Sequence, residues 1–477
     1  MNFKIILNIL GWVFNTEATC LLLPLLCAVI YGESVVPFLV AIAACLVAGV
    51  PLSAMKAKNK TMYAKEGYVT VALSWIAISL MGMLPFVVSG SIPNVFNAFF
   101  ETASGFSTTG ASILSDVEVL PKSILFWRSF THWIGGMGVL VFLVALLPLS
   151  GGSNMHLIKA ESPGPSVSKL VPKVKTTAKL LYGIYIALTL IEVILLLVGG
   201  LDMFEALTLS FGTAGTGGFG IKNSGIADYS SYVQNVITVF MIIFGIDFSF
   251  YYLIIIKKIK SAIKMEEVRV YLGIILISVL LITINCYNMF PNVADALKHV
   301  FFQVASLITT TGYSTTDFNA WPEFSKCILL CLMFSGACAG STGGGVKVSR
   351  LVILFKSIIK EIKILSHPKR TVKTTMNGRI IEHETIRAIN VYMAAYFAIF
   401  LVSVLILSLD KPDFTTNFTA VLATINNIGP GLSEVGPTGN FGGYSDFSTL
   451  VLTFDMLVGR LEIFPMLVLF SPWSWKK

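Results

Sequence analysis

The sequence predicts an all-α integral membrane fold: four pseudo-repeats of outer helix, pore helix, filter loop and inner helix around one pore, plus two extra N-terminal transmembrane helices. Three observations predict it. First, 55% of the residues are hydrophobic and only 13% charged, with a mean hydropathy of +0.80; a soluble chain carries about 25% charged residues. Second, runs such as 388–409 and 272–290 contain no charge, and about 20 apolar residues suffice for a helix to cross the hydrocarbon. Third, four polar, glycine-bearing segments recur between such runs, where ordinary loops would be costly.

Two helices near 3–31 and 35–55 open the chain. The first carries Lys4 and a long apolar run, with no short apolar core and small-residue cleavage site; it reads as a membrane helix rather than a leader. Outer helices are expected near 67–90, 177–200, 268–290 and 386–409, and inner helices near 122–149, 231–257, 324–352 and 447–470. That makes ten full spans. The corresponding units are an N-terminal two-helix segment (1–60) and repeats at 61–150, 151–262, 263–383 and 384–477. The net charge is +8, and its placement says more than its size. Basic residues crowd 56–65, 159–179, 257–269 and 347–387, whereas Asp116, Glu118, Asp228, Asp317, Glu323, Glu434 and Asp446 mark the polar loops between. This alternation puts the basic segments and both termini in the cytoplasm. It also removes nucleic-acid binding as a reading of the positive charge.

The recurring segments align on a glycine. "AFFETASGFSTTGA" reaches Gly110, "EALTLSFGTAGTGGF" Gly218, "HVFFQVASLITTTGY" Gly312 and "TNFTAVLATINNIGP" Gly429. Each begins as a short apolar helix, about 15 Å or half a membrane long, and ends in small or hydroxyl residues. Two positions before each glycine stand Thr108, Thr216, Thr310 and Asn427. A single stretch of this kind would be ordinary Gly/Thr helix packing. Four in one context point to main-chain carbonyls replacing the water shell of a monovalent cation. Glycine permits the dihedrals that aim them, and the negative C-terminal ends of the short helices favour a cation. The candidate ion-binding residues are Thr108, Thr109 and Gly110; Thr216, Gly217 and Gly218; Thr310, Thr311 and Gly312; and Asn427, Ile428 and Gly429. In the second loop, register with Phe219 favours Gly218 as the filter glycine, with Gly217 as the alternative.

Below the third loop, "GACAGSTGGG" interrupts an apolar helix. Each helical glycine costs about 1 kcal/mol against alanine, so an unwound stretch is expected. Gly336, Gly340, Gly343, Gly344 and Gly345 are candidate gate residues; close helix packing is the plainer reading. Apolar runs also carry Glu192, Asp247, Asp455, Arg460 and Glu462. Arg460 has two readings: a barrier near the pore axis bound to carbonyls of the broken helix, or a salt bridge to Asp455 or Glu462. Arg128 is expected to brace a filter loop through Glu101, and His132 to pack. The cysteines, Cys20, Cys27, Cys45, Cys286, Cys327, Cys331 and Cys338, read as buried packing thiols with no metal spacing. "GTGGFG" at 215–220 matches a dinucleotide fingerprint in form but follows a half-membrane helix, and "GSTGGGVK" at 340–347 has Val346 where a phosphate loop needs lysine. An intramembrane enzyme would need a nucleophile–base or metal constellation, which these five histidines do not form. An inverted-repeat carrier would need halves of opposite orientation, against the charge pattern.

In layout and motifs the chain resembles the Trk/Ktr/HKT superfamily of potassium transporters over nearly its whole length. "GFSTTGAS", "TGGFG", "TTTGYSTTDFNAWP" and "NNIGPGLSEVGPTGNFGGYS" look like that family's filter loops. "WRSFTHWIGGMG", "GACAGSTGGGVKVSR" and "GRLEIFP" look like parts of its first, third and fourth inner helices. The resemblance implies potassium uptake across the bacterial cytoplasmic (inner) membrane, potassium at the filter residues as transported ion and no cofactor. It also implies a gate at 336–345 with Arg460, a homodimer, and a cytosolic nucleotide-binding regulatory subunit of the TrkA type. Some family members that carry sodium replace the first-loop glycine with serine; by that resemblance Gly110 points to potassium. A sodium-permeable or ion-coupled potassium transporter of the same architecture is the alternative.

Overall fold

A computed structural model describes residues 1–55, 62–138, 174–368 and 371–475. The expected lower part of the first inner helix (139–149) and most of the basic segments at 56–65 and 159–179 lie outside the described residues. The fold is almost wholly helical. Among the described residues, six stretches are long and apolar enough to cross a membrane: Phe3–Tyr31, Val36–Ala54, Ala64–Val88, Ala178–Val198, Glu266–Met289 and His383–Leu407. These are the two N-terminal helices and the four outer helices, each within a few residues of its expected place.

The pore helices are Val95–Phe106, Met203–Gly215, Val293–Ile308 and Phe414–Ile425. An Asn or Asp caps each one: the side chains of Asn94, Asp202, Asn292 and Asp413 accept from backbone N–H groups in the first turn. Such caps satisfy donors that a buried helix start would otherwise leave bare. Each pore helix then runs into an irregular loop and an inner helix that starts at Lys122, Ser231, Glu323 or Asp446.

The inner helices depart from the expectation of ten full spans with a break in the third inner helix alone. The second stops at Phe244 and resumes at Phe248 with a 90° bend. The third stops at Ser335 and resumes only at Val348. The fourth breaks between Arg460 and Phe464, with Glu462 and Ile463 at φ 59° and 69°. Only the third break carries the glycine run that made it legible in the sequence. The second is tied to the third: the Cys338 N–H donates to the Gly245 carbonyl and the Phe248 N–H to the Gly340 carbonyl.

Two short antiparallel strands, Thr375–Met376 and Arg379–Ile380, turn through Asn377 and Gly378, both at positive φ. This is the Asn-Gly hairpin chemistry, placed inside the segment read from sequence only as a basic linker. Cys327 and Cys331 correct another expectation: both are exposed, one helical turn apart on the third inner helix, and are not buried packing thiols.

Candidate functional site: a closed ring of filter loops

The four pore helices end in the same way. Thr108, Thr216, Thr310 and Asn427 adopt left-handed φ of 58°, 56°, 60° and 54°. The N–H of each bonds three residues back, and the next N–H bonds five residues back: Thr109 to Ser104 at 2.9 Å, Gly217 to Gly212 at 2.9 Å, Thr311 to Ser306 at 2.8 Å and Ile428 to Ala423 at 2.8 Å. This is the Schellman pattern, which here reverses the chain at the end of each helix. Two residues beyond each left-handed residue, Gly110, Gly218, Gly312 and Gly429 are left-handed again, at 78°, 72°, 84° and 99°. Alternating hand along a short strand turns successive carbonyls to the same side. The register of the second loop follows directly: Gly218 holds the positive-φ position and Gly217 does not.

These glycines also define how the loops meet. A Cβ on Gly110 would run into the carbonyl oxygen of Gly217, one on Gly218 into that of Thr311, and one on Gly312 into that of Ile428. A Cβ on Gly429 would lie 2.8 Å from the carbonyl oxygen of Thr109. The contacts run first loop to second, second to third, third to fourth and fourth back to first, so the four strands close into one ring. Side chains are excluded where each strand touches the next.

The ring is braced from outside its axis. The Arg128 Nε lies 2.6 Å from Glu101 Oε1, both buried, and its Nη1 donates to the Gly220 carbonyl at 2.9 Å. The guanidinium also stacks over the Phe219 ring, 3.6 Å from its centroid. Glu101 in turn accepts from Ser112 Oγ and the Ile113 N–H. One buried pair therefore fixes the outer limbs of the first and second loops. His132 joins the same two repeats more deeply. Its Nδ1 lies 2.7 Å from the Gly105 carbonyl and its Nε2 accepts from the Phe219 N–H at 3.3 Å; the first contact requires the proton on Nδ1. Hydroxyl pairs, Ser107 with Thr109 and Thr309 with Thr311, stiffen two of the loops. Asn427 donates to Thr109 Oγ1 and to the Met456 carbonyl, both at 2.9 Å.

At the outer rim every junction between neighbours carries a hydrogen bond. Val117 and Asp116 bond Asn223; the Ile226 N–H donates to Ser314; the Ser433 N–H donates to Asn319; and the Phe441 N–H donates to Ser112. The loops thus form a second closed ring above the first.

Directly beneath the ring lies the break in the third inner helix. The Gly344 N–H donates to Thr310 Oγ1 at 2.6 Å, which ties the break to the filter loop itself. Gly336 and Gly345 meet backbone to backbone, each at positive φ. The Thr342 Oγ1 donates to the Phe244 carbonyl, and Lys347 donates to the carbonyl of Gly343. Arg460 binds three carbonyls from two repeats: Thr342 at 2.9 Å, Gly135 at 2.5 Å and Gly136 at 2.7 Å. Glu462 pairs instead with Arg350, and Asp455 accepts from Ser403.

Comparison with known proteins places this arrangement. A family model described as "TrkH: Cation transport protein" matches residues 34–477. The chain belongs to the TrkH family of cation transport proteins. Among its relatives, the Trk system potassium uptake protein TrkH of Salmonella typhimurium is 35% identical over the whole of both chains. TrkG of Escherichia coli K12 is 30% identical over 99% of each. A solved structure, the crystal structure of the potassium transporter TrkH from Vibrio parahaemolyticus, matches with a TM-score of 0.90 and 32% identity, covering 100% of each chain.

Within this TrkH-family chain, the twelve residues singled out from the loops all lie in the four strands of the ring, and Gly336, Gly340, Gly343, Gly344, Gly345 and Arg460 all lie beneath it. Sequence reasoning missed four residues. His132 was read as packing, but bridges two repeats. Lys347 and Arg350 were assigned to a cytoplasmic basic segment; both are buried against the break. Glu267 sits beside a second acid at a helix start, where a solvated cap is the ordinary reading, yet it is buried and bonded to the break. Its proximity to two basic segments gave no signal of that role.

Proposed function

We propose that the chain carries potassium into the cell across the bacterial cytoplasmic membrane, with both termini inside. The closed ring of four filter strands supports this reading above all else. Backbone at membrane depth is tolerable when it lines a hydrated path, and inward carbonyls replace the ion's water shell. Four pore-helix C-termini, each equivalent to about half a negative charge, end at the ring and favour a cation. Potassium, rather than another cation, rests on the names of the relatives and on glycine at position 110.

The bound ion would meet Thr108, Thr109 and Gly110, Thr216, Gly217 and Gly218, Thr310, Thr311 and Gly312, and Asn427, Ile428 and Gly429. The break at 336–345, with Arg460 donating to its Thr342 carbonyl, then acts as the gate below. A guanidinium held there presents fixed positive charge to an incoming ion. The electrical potential supplies about 2.3 kcal/mol per charge per 100 mV, so inward flux needs no cofactor and no chemistry. The repeats are 61–150, 151–262, 263–383 and 384–477. The chain works as a homodimer with a cytosolic nucleotide-binding subunit of the TrkA type.

The test is selectivity. Gly110→Ser adds a side chain where the Gly217 carbonyl lies. In liposomes, the variant should lose discrimination of rubidium over sodium; an unchanged uptake ratio would remove the filter assignment.

A further inference from the structure

The third outer helix opens on two adjacent carboxylates, Glu266 and Glu267, that hold different partners. Glu267 is buried. Its Oε1 accepts the N–H of Ala339 at 2.6 Å and that of Ser349 at 3.1 Å. Ala339 lies inside the intramembrane break, just before Gly340, and Ser349 follows the break, in the first turn of the resumed helix. One oxygen therefore joins two points on either side of the 340–345 stretch. Two backbone bonds, from the Val346 N–H to the Phe334 carbonyl and from the Val348 N–H to the Ala337 carbonyl, also join the two limbs, whereas the bonds with Gly245, Phe248, Thr310 and Arg460 each hold one limb.

Glu266 faces the other way. Its own N–H donates to Asn377 Oδ1 at 2.7 Å, and its Oε2 accepts the Asn377 N–H at 3.3 Å. It also pairs with Lys356, which donates to the Thr375 carbonyl at 2.8 Å. Asn377 is the turn of the small hairpin, and Lys356 lies on the helix that resumes after the break. One peptide bond thus separates the clamp on the break from the clamp on the hairpin.

We infer that Glu267 is a positioning residue that latches the intramembrane break in place beneath the filter, and that Glu266 ties this latch to the hairpin at 375–380. The inference deepens the gate reading and rests on it for its functional consequence, though the latch itself is a structural statement. When the hairpin shifts, the helix start shifts with it, and both limbs of the break lose their common acceptor.

Cys338 provides a built-in reporter. It is fully buried, it lies inside the break next to Ala339, and it is a free thiol. Full-length protein in liposomes is exposed to a small maleimide, and modification of each cysteine is followed by mass spectrometry. In Glu267→Ala, Cys338 should react about tenfold faster or more, as expected for a local opening rather than global unfolding. Cys286, equally buried but remote from the break, should keep its protection. Glu267→Gln retains an amide oxygen as acceptor and should stay close to the unsubstituted protein. Asn377→Ala should give an intermediate rate. Unchanged protection of Cys338 in Glu267→Ala would overturn the latch, and so would a parallel rise at Cys286, which would mean general loosening. An unchanged rate in Asn377→Ala would overturn the tie to the hairpin. Rubidium flux on the same liposomes separates the two readings: an exposed Cys338 without higher flux keeps the latch and removes the gate.

Discussion

Threonine is a poor residue for left-handed backbone, because its branched Cβ crowds the following carbonyl. Three of the four pore helices nonetheless end on one, and such strain costs about 1–3 kcal/mol per residue. At two of the three the hydroxyl is bonded: Thr310 Oγ1 accepts the Gly344 N–H, and Thr216 Oγ1 donates to the Gly215 carbonyl. Asn427, the more tolerant residue, spends its amide on bonds to another repeat. The buried Arg128–Glu101 pair supplies a prediction at this scale. Removing one partner of a buried pair leaves the other charge uncompensated, typically a loss of about 3–5 kcal/mol. Arg128→Ala should therefore lower the thermal midpoint in detergent by several degrees, and Glu101→Gln combined with Arg128→Met should recover part of the loss. Equal midpoints for Arg128→Ala and the parent would show that the pair braces nothing.

The pore helices are short, and short helices depend on their ends. Asp413 caps the fourth by accepting the N–H groups of Thr415 and Thr416 and the Thr416 hydroxyl. Those bonds, chiefly from Thr416, hold its carboxyl below the usual range. Asp116 at the rim is lowered likewise, chiefly by Asn223. A carboxyl depressed in the folded state contributes stability that is fully present above its unfolded value, about 3.9. That contribution disappears as pH falls from there through the folded value. Asp413→Ala should cost about 1 kcal/mol at neutral pH, and the gap between variant and parent midpoints should close as the buffer is taken below pH about 4. A gap that stays constant with pH would show that the cap does not depend on the ionised carboxylate.

At the scale of the molecule, the two stacked rings make the outer half one unit, because every loop is bonded to both neighbours. The inner half is held differently. Breaks in the second, third and fourth inner helices put free carbonyls and N–H groups beside one another, and Arg460 gathers three of those carbonyls across two repeats. In the proposed function the closed outer ring selects and the broken inner layer gates. Arg460→Ala should raise rubidium flux through liposomes that contain no regulatory subunit. Lower flux would mean that the guanidinium supports the path rather than obstructing it.

The sequence by itself determined the membrane class and the places of the two N-terminal and four outer helices, though it expected ten full spans. Hydropathy, caps and glycine positions are local properties, and each is written within a dozen residues. The Asn or Asp that starts each pore helix and the glycine that ends each loop could be read without a partner. Tertiary structure decided what depends on residues about a hundred positions apart. The ring closes because the Gly110 backbone meets Gly217 and Gly429 meets Thr109. Gly218 rather than Gly217 takes the left-handed position because its strand must fit between two others. The second and fourth inner helices break without a glycine run where the third repeat supplies partners to Gly245, Phe248 and Glu462, and Lys347 and Glu267 are buried rather than solvated because the folded-in break beside them supplies theirs.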